Sequence, residues 1–78
     1  MNIRSTILGY IKKRFPSSLE NDESDIDLTL ILDSFAIYEF ILFLEQQFSI
    51  KINDEEITSD RFSTLNQIVI FIEAKINN

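Results

Sequence analysis

Leu32-Asp33-Ser34-Phe35-Ala36-Ile37-Tyr38-Glu39-Phe40-Ile41-Leu42-Phe43-Leu44-Glu45-Gln46-Gln47-Phe48 is the most apolar part of the chain, and it reads as a helix over 34–48. Asp33 is a good N-cap, because its carboxylate can accept from free first-turn amides and faces the positive helix end. Wound at about 100° per residue, Ile37, Ile41, Leu44 and Phe48 fall on one line with Phe40 beside it. That line is the expected core face. Phe35, Glu39, Leu42 and Gln46 fall on the opposite side, with Tyr38 and Glu45 on the flank. Two apolar residues and a carboxylate thus share a face that the core does not need.

On the N-terminal side, Ile26, Leu28 and Leu30 alternate with Asp27 and Thr29, as in a short strand. No second strand is available to pair with it, so an extended segment pinned to the core is expected. The run from Pro16 to Asp25 is polar and acidic, and the whole loop between the first and second helices, Pro16 to Leu32, is long for so small a domain. The first helix carries Ile3, Ile7, Leu8, Ile11 and Phe15 as its stripe and ends at Pro16, whose ring cannot continue the ladder. Gly9 weakens it by about 1 kcal/mol relative to Ala.

On the C-terminal side, Asn53-x-x-Glu56 reads as a capping box opening a short third helix, with Ile57 inward and Asp60 near its end. Thr64-x-x-Gln67 is a second capping box, followed by the stripe Leu65, Ile68, Val69, Ile72 and Ile76. Phe62, just before that cap, is placed as a core anchor. The sum is one all-α domain over 1–78, a small four-helix bundle of three longer helices and one short one.

Composition narrows the function. The 78 residues include no Cys and no His, which excludes disulfides, thiol nucleophiles, the usual zinc sites and a Ser-His-Asp triad. Net charge is −6, which argues against nucleic acid and for partners with basic surfaces. The charge is uneven. Four of the seven basic residues (Arg4, Lys12, Lys13, Arg14) precede Pro16, while twelve of the thirteen acids lie within 20–60. No apolar run approaches the roughly 18–20 residues of a membrane span, and Met1–Ser5 does not read as a signal peptide. A cytoplasmic monomer with no membrane partner is the expectation.

Little catalytic chemistry is left. Asp25-x-Asp27 and Asp54-x-Glu56 are not EF-hand loops, since Leu30 and Ser59 stand where the loop glycine belongs. Gly9 is the single glycine, so no phosphate-cradling loop exists. The chain is poorly equipped as an enzyme. Ser34 remains, at the start of the most apolar helix, where amides and dipole favour an attached phosphate.

The segment Leu32-Asp33-Ser34-Phe35, followed by Ile37, Glu39, Phe40, Ile41, Leu44, Glu45, Phe48 and Ile50, resembles the acyl carrier protein family. In that family an Asp-Ser-Leu motif opens the second helix, and the serine carries 4′-phosphopantetheine through a phosphodiester. Phe48-Ser49-Ile50-Lys51-Ile52-Asn53-Asp54-Glu55-Glu56-Ile57 is similar to the stretch joining its second and third helices. Phe62-Ser63-Thr64-Leu65 with Ile68 looks like the start of its last helix. The likeness covers about residues 26–76. It departs at Phe35, which replaces the usual Leu, and at Leu30-Ile31-Leu32, where a glycine is often found.

The resemblance implies that Ser34 is the attachment site and Asp33 its motif partner. It implies that Phe35, Glu39, Leu42 and Glu45 form the acidic, apolar face that meets basic patches on partner enzymes. Those partners are a phosphopantetheinyl transferase and the acyl-loading and acyl-transfer enzymes of fatty-acid, polyketide or related synthesis, with binding that weakens as salt rises. An aminoacyl or D-alanyl carrier and an unmodified helical adaptor are the alternatives.

Overall fold

The computed structural model describes residues 2–15 and 27–77, with Leu30 described in its backbone only. The acidic run Pro16–Asp25, and Ile26 of the alternating segment, lie outside the described residues. The fold is all-α. Three α-helices follow one another, α1 (Ile3–Arg14), α2 (Ser34–Phe48) and α3 (Leu65–Asn77), with 3-10 turns at Leu28–Leu30 and Asp54–Glu56. There is no strand among the described residues, only an isolated antiparallel bridge between Asp27 and Thr64.

Each helix has a local reason to begin and end where it does. Asn2 caps α1 by accepting from the Ser5 N–H at 2.8 Å. The helix stops at Arg14, and Phe15, the residue before Pro16, takes φ −133° and ψ 65°, outside the helical region. Asp33 caps α2. At the far end of α2, Ser49 turns left-handed at φ 54°, and the Ile50 N–H reaches back to the Glu45 carbonyl at 3.2 Å. Thr64 caps α3, its hydroxyl accepting from the Gln67 N–H at 3.2 Å.

The helices enclose a single core of Ile7 and Ile11 from α1, Phe40, Ile41 and Leu44 from α2, and Leu65, Ile68, Phe71 and Ile72 from α3. Leu28, Ile52 and Phe62 close it from the connecting segments. Helix α1 packs along α3, where Arg4 also hydrogen-bonds Asn66. Against α2 it uses aromatic contacts, with Tyr10 stacked on Phe43 at 4.2 Å and tilted to Phe40 at 5.6 Å. Burial raises the Tyr10 phenol above its ordinary pKa, with a further push from Glu39 and an opposing pull from Arg14.

Four expectations shift in detail. The buried line of α2 is rotated toward Ala36, Phe40 and Leu44, leaving Ile37 and Phe48 half-buried at its edges. In α3, Phe71 takes the core position and Ile76 is exposed. The short third helix is a single 3-10 turn. Glu56 accepts from the Asn53 N–H at 2.9 Å, as the capping box requires, but Ile57 then leaves the helical region at ψ 84° and packs against the core. The Thr58 hydroxyl takes the Arg61 N–H at 3.3 Å, and the chain turns again instead of extending the helix to Asp60. The segment around Leu28 is held as expected in anchorage and differs in conformation. Leu28 is fully buried and its N–H donates to the Ser63 carbonyl at 2.8 Å, but a 3-10 turn follows, capped by the Asp27 carboxylate on the Thr29 N–H at 3.0 Å.

Candidate functional site at the start of helix α2

Ser34 is the first residue of α2 and is exposed. Its position is set by Asp33, whose Oδ1 accepts from the N–H groups of Phe35 at 3.1 Å and Ala36 at 2.7 Å. The first helical hydrogen bond, from the Ile37 N–H to the Asp33 carbonyl at 3.0 Å, fixes the same turn from the other side. The Ser34 hydroxyl makes no hydrogen bond to any described residue, so it is held at a defined place and left open to solvent. Because Asp33 already occupies two of the first-turn donors, the helix start is not an empty anion cradle. A phosphate on Ser34 would therefore be positioned by its covalent bond rather than by the amides.

No described residue is placed to deprotonate Ser34. Asp33 is aimed at the backbone, and the chain has no imidazole. No group of carboxylates among the described residues is arranged to hold a metal ion.

Leu32 and Ile37, which flank Ser34 in the chain, form one wall of a cavity of about 250 Å³ that Ser34 itself does not line. Leu28, Ile57 and Phe62 form its other apolar walls, and Thr29, Thr58 and Ser59 add hydroxyls. This volume is just below the several hundred Å³ of a typical ligand pocket.

The four residues expected beside Ser34 on the partner face divide into two pairs. Phe35 and Leu42 are 73% and 58% exposed, as the helical wheel requires. Glu39 instead pairs with Arg14 of α1 at 3.0 Å. Glu45 turns to the following segment, where its Oε2 accepts from the part-buried Ile52 N–H at 2.9 Å. Tyr38, assigned by the wheel to the flank, is 62% exposed and completes a stripe with Phe35 and Leu42. The i, i+3, i+7 spacing of these residues was the available signal. Nothing local could have revealed the Arg14 partner, which lies 25 residues from Glu39 along the chain.

No family model, no curated protein and no solved structure matches the chain. No helix among the described residues is long and apolar enough to cross a membrane.

Proposed function

We propose that the chain is a stand-alone carrier of acyl-carrier type, the short fourth helix of that bundle being represented by the 3-10 turn Asp54–Glu56. Ser34 carries a 4′-phosphopantetheine arm whose terminal thiol holds an acyl group as a thioester. The observation that carries this reading is the exposed Ser34 at a helix start capped by Asp33, with no activating group on its hydroxyl among the described residues. Such a serine is suited to being a substrate of another enzyme rather than a nucleophile in its own right.

A phosphopantetheinyl transferase supplies the base that takes the Ser34 hydroxyl proton, and the phosphodiester to Ser34 Oγ forms as the pyrophosphate bond of coenzyme A breaks and adenosine 3′,5′-bisphosphate leaves. Acyl-loading and acyl-transfer enzymes of fatty-acid, polyketide or related pathways then use the loaded arm. Tethering raises the effective concentration of the cargo at each of them. The net charge of −6 favours partners with basic surfaces at long range.

The deciding experiment is the intact mass of the chain after incubation with coenzyme A and a broad-specificity phosphopantetheinyl transferase, with Ser34→Ala alongside. A gain of one phosphopantetheine, lost in the variant, is the expected result. No gain with several transferases would overturn the carrier reading in favour of an unmodified adaptor. Parallel loading with fatty-acyl and aminoacyl ligases then separates an acyl carrier from an aminoacyl or D-alanyl one.

A further inference from the structure

We infer that the groove between α1 and α2 is a binding site for a small, flat aromatic anion, a ring bearing a carboxylate, sulfonate or phosphate. Ser34 does not line this groove, and the inference does not depend on Ser34 being modified.

Shape is the first ground. The contacts Arg14–Glu39 and Tyr10–Phe43 show that α1 and α2 run antiparallel. Between them lies a groove of about 650 Å³, within the range that holds a small ligand. Tyr10 and Phe43, half-buried and stacked at 4.2 Å, make its aromatic wall. Beside Tyr10 the wall is Gly9, the chain's single glycine. A glycine inside a helix weakens it, so it calls for a reason. The backbone gives none, since Gly9 does not have a positive φ. Packing gives none either, because a Cβ built at Gly9 would meet no atom within 4 Å. What the missing side chain does is keep the groove clear next to the rings, where a flat body can lie. A residue that departs from the local rule without a folding gain is expected at a functional site.

Charge is the second ground. In a chain of net charge −6, the described lining of this groove carries Lys13 and Arg14 and no carboxylate. Cations suit the negative end of a helix, which accounts for Lys12, Lys13 and Arg14 alike in the last turn of α1. The groove takes two of these three and sets them beside aromatic rings. Lys13 forms no ion pair with any described residue. Arg14 uses one nitrogen on Glu39 at 3.0 Å, and the other donors of its guanidinium fork stay available to an anion. One turn beyond the rings, Thr6 and Gln47 add a hydroxyl and an amide. An uncharged ring would leave the two cations unused, and an inorganic anion would leave the aromatic wall unused. A ring with an anionic group uses both.

The test is a titration of the full, isotope-labelled chain with 2-naphthoate, followed by amide NMR, with uncharged 2-naphthalenemethanol and inorganic phosphate in parallel. Saturable shifts at Thr6, Gly9, Lys13 and Gln47 are expected with 2-naphthoate, and binding of the other two probes at least about threefold weaker. Lys13→Gln should weaken 2-naphthoate by about threefold and flatten its salt dependence. Gly9→Leu should raise the melting temperature, because a helix former replaces glycine, yet weaken binding by about tenfold by filling the groove. Opposite signs for stability and binding separate a blocked site from a damaged fold. Ser34→Ala should bind as wild type does, so this result and the carrier reading can fail independently. Absence of saturable shifts would overturn the inference, as would full affinity in Lys13→Gln or in Gly9→Leu. Binding seen only after Asp22, Glu23 and Asp25 are neutralised would also overturn it, by giving the groove to the chain's own acidic run. A dimer in sedimentation that dissociates on Gly9→Leu would give it to a second copy and overturn it equally.

Discussion

Helix α2 and the segment 53–60 both come from the acidic centre of the chain, yet they present opposite surfaces. In α2 the carboxylates turn to Arg14 and to the Ile52 amide, and the outward side chains are aromatic and aliphatic. In 53–60, Asp54, Glu55 and Asp60 are exposed, and only Glu56 is tied down, to the Asn53 N–H and to Lys75 at 2.9 Å. Composition places the negative charge in the middle of the chain; on α2 geometry ties each carboxylate to a neighbour through one oxygen. A net charge of −6 is thus a statement about the whole molecule and not about any one face of it.

The contrast can be broken or sharpened by substitution. The largest effect belongs to the inner side of α2, where Phe40→Ala should destabilise the fold by about 3–5 kcal/mol in chemical denaturation, because the ring is fully buried. Next is the cap. Asp33→Ala should cost about 1 kcal/mol and Asp33→Asn much less, since Asn can still accept from the Phe35 and Ala36 amides. At the other end of α2, Ser49→Gly should raise stability by about 0.5–1 kcal/mol, as glycine adopts φ 54° without the steric cost.

A smaller effect should appear in the acidic turn. The Asn53 amide, followed by the Lys75 ammonium, holds the Glu56 carboxyl below its ordinary value of 4.5. A depressed folded-state value contributes stability above pH 4.5 that is lost as pH falls through the folded value. Wild type should therefore exceed Glu56→Gln in stability near neutrality by less than about 1 kcal/mol, with the gap closing on acidification below pH 4.5. A gap that persisted in acid would mean that Glu56 acts through packing instead. Smallest of all, Leu42→Ser should change stability by no more than about 0.5 kcal/mol. A larger loss would show that the outer face of α2 belongs to the core after all.

Much of this architecture was legible in the residues. Helix α2 runs over Ser34–Phe48 with Asp33 as its cap, as read, because a side-chain acceptor followed by an uninterrupted apolar period leaves the backbone few alternatives. The stop before Pro16, the anchor role of Phe62 and the Thr64 cap follow from equally local causes. The third helix was less legible. Its capping box formed, but Ile57 went to the core and ended the element after one turn. At the candidate site, the wheel separated Phe35 and Leu42 from the core and missed the exposure of Tyr38 by a modest rotation of α2.

The sequence by itself determined that this is a small all-α chain whose most apolar helix opens on an exposed, well-capped Ser34 and whose chemistry lacks thiol and imidazole. Those properties depend on neighbours a few residues apart. Only the tertiary structure decided where the charges of α2 go. Arg14 reaches Glu39 because α1 packs beside α2 through Tyr10 and Phe43, and Glu45 meets Ile52 because the chain reverses at Ser49. Such pairings arise when packing brings distant or reversing segments together, and local periodicity does not encode them.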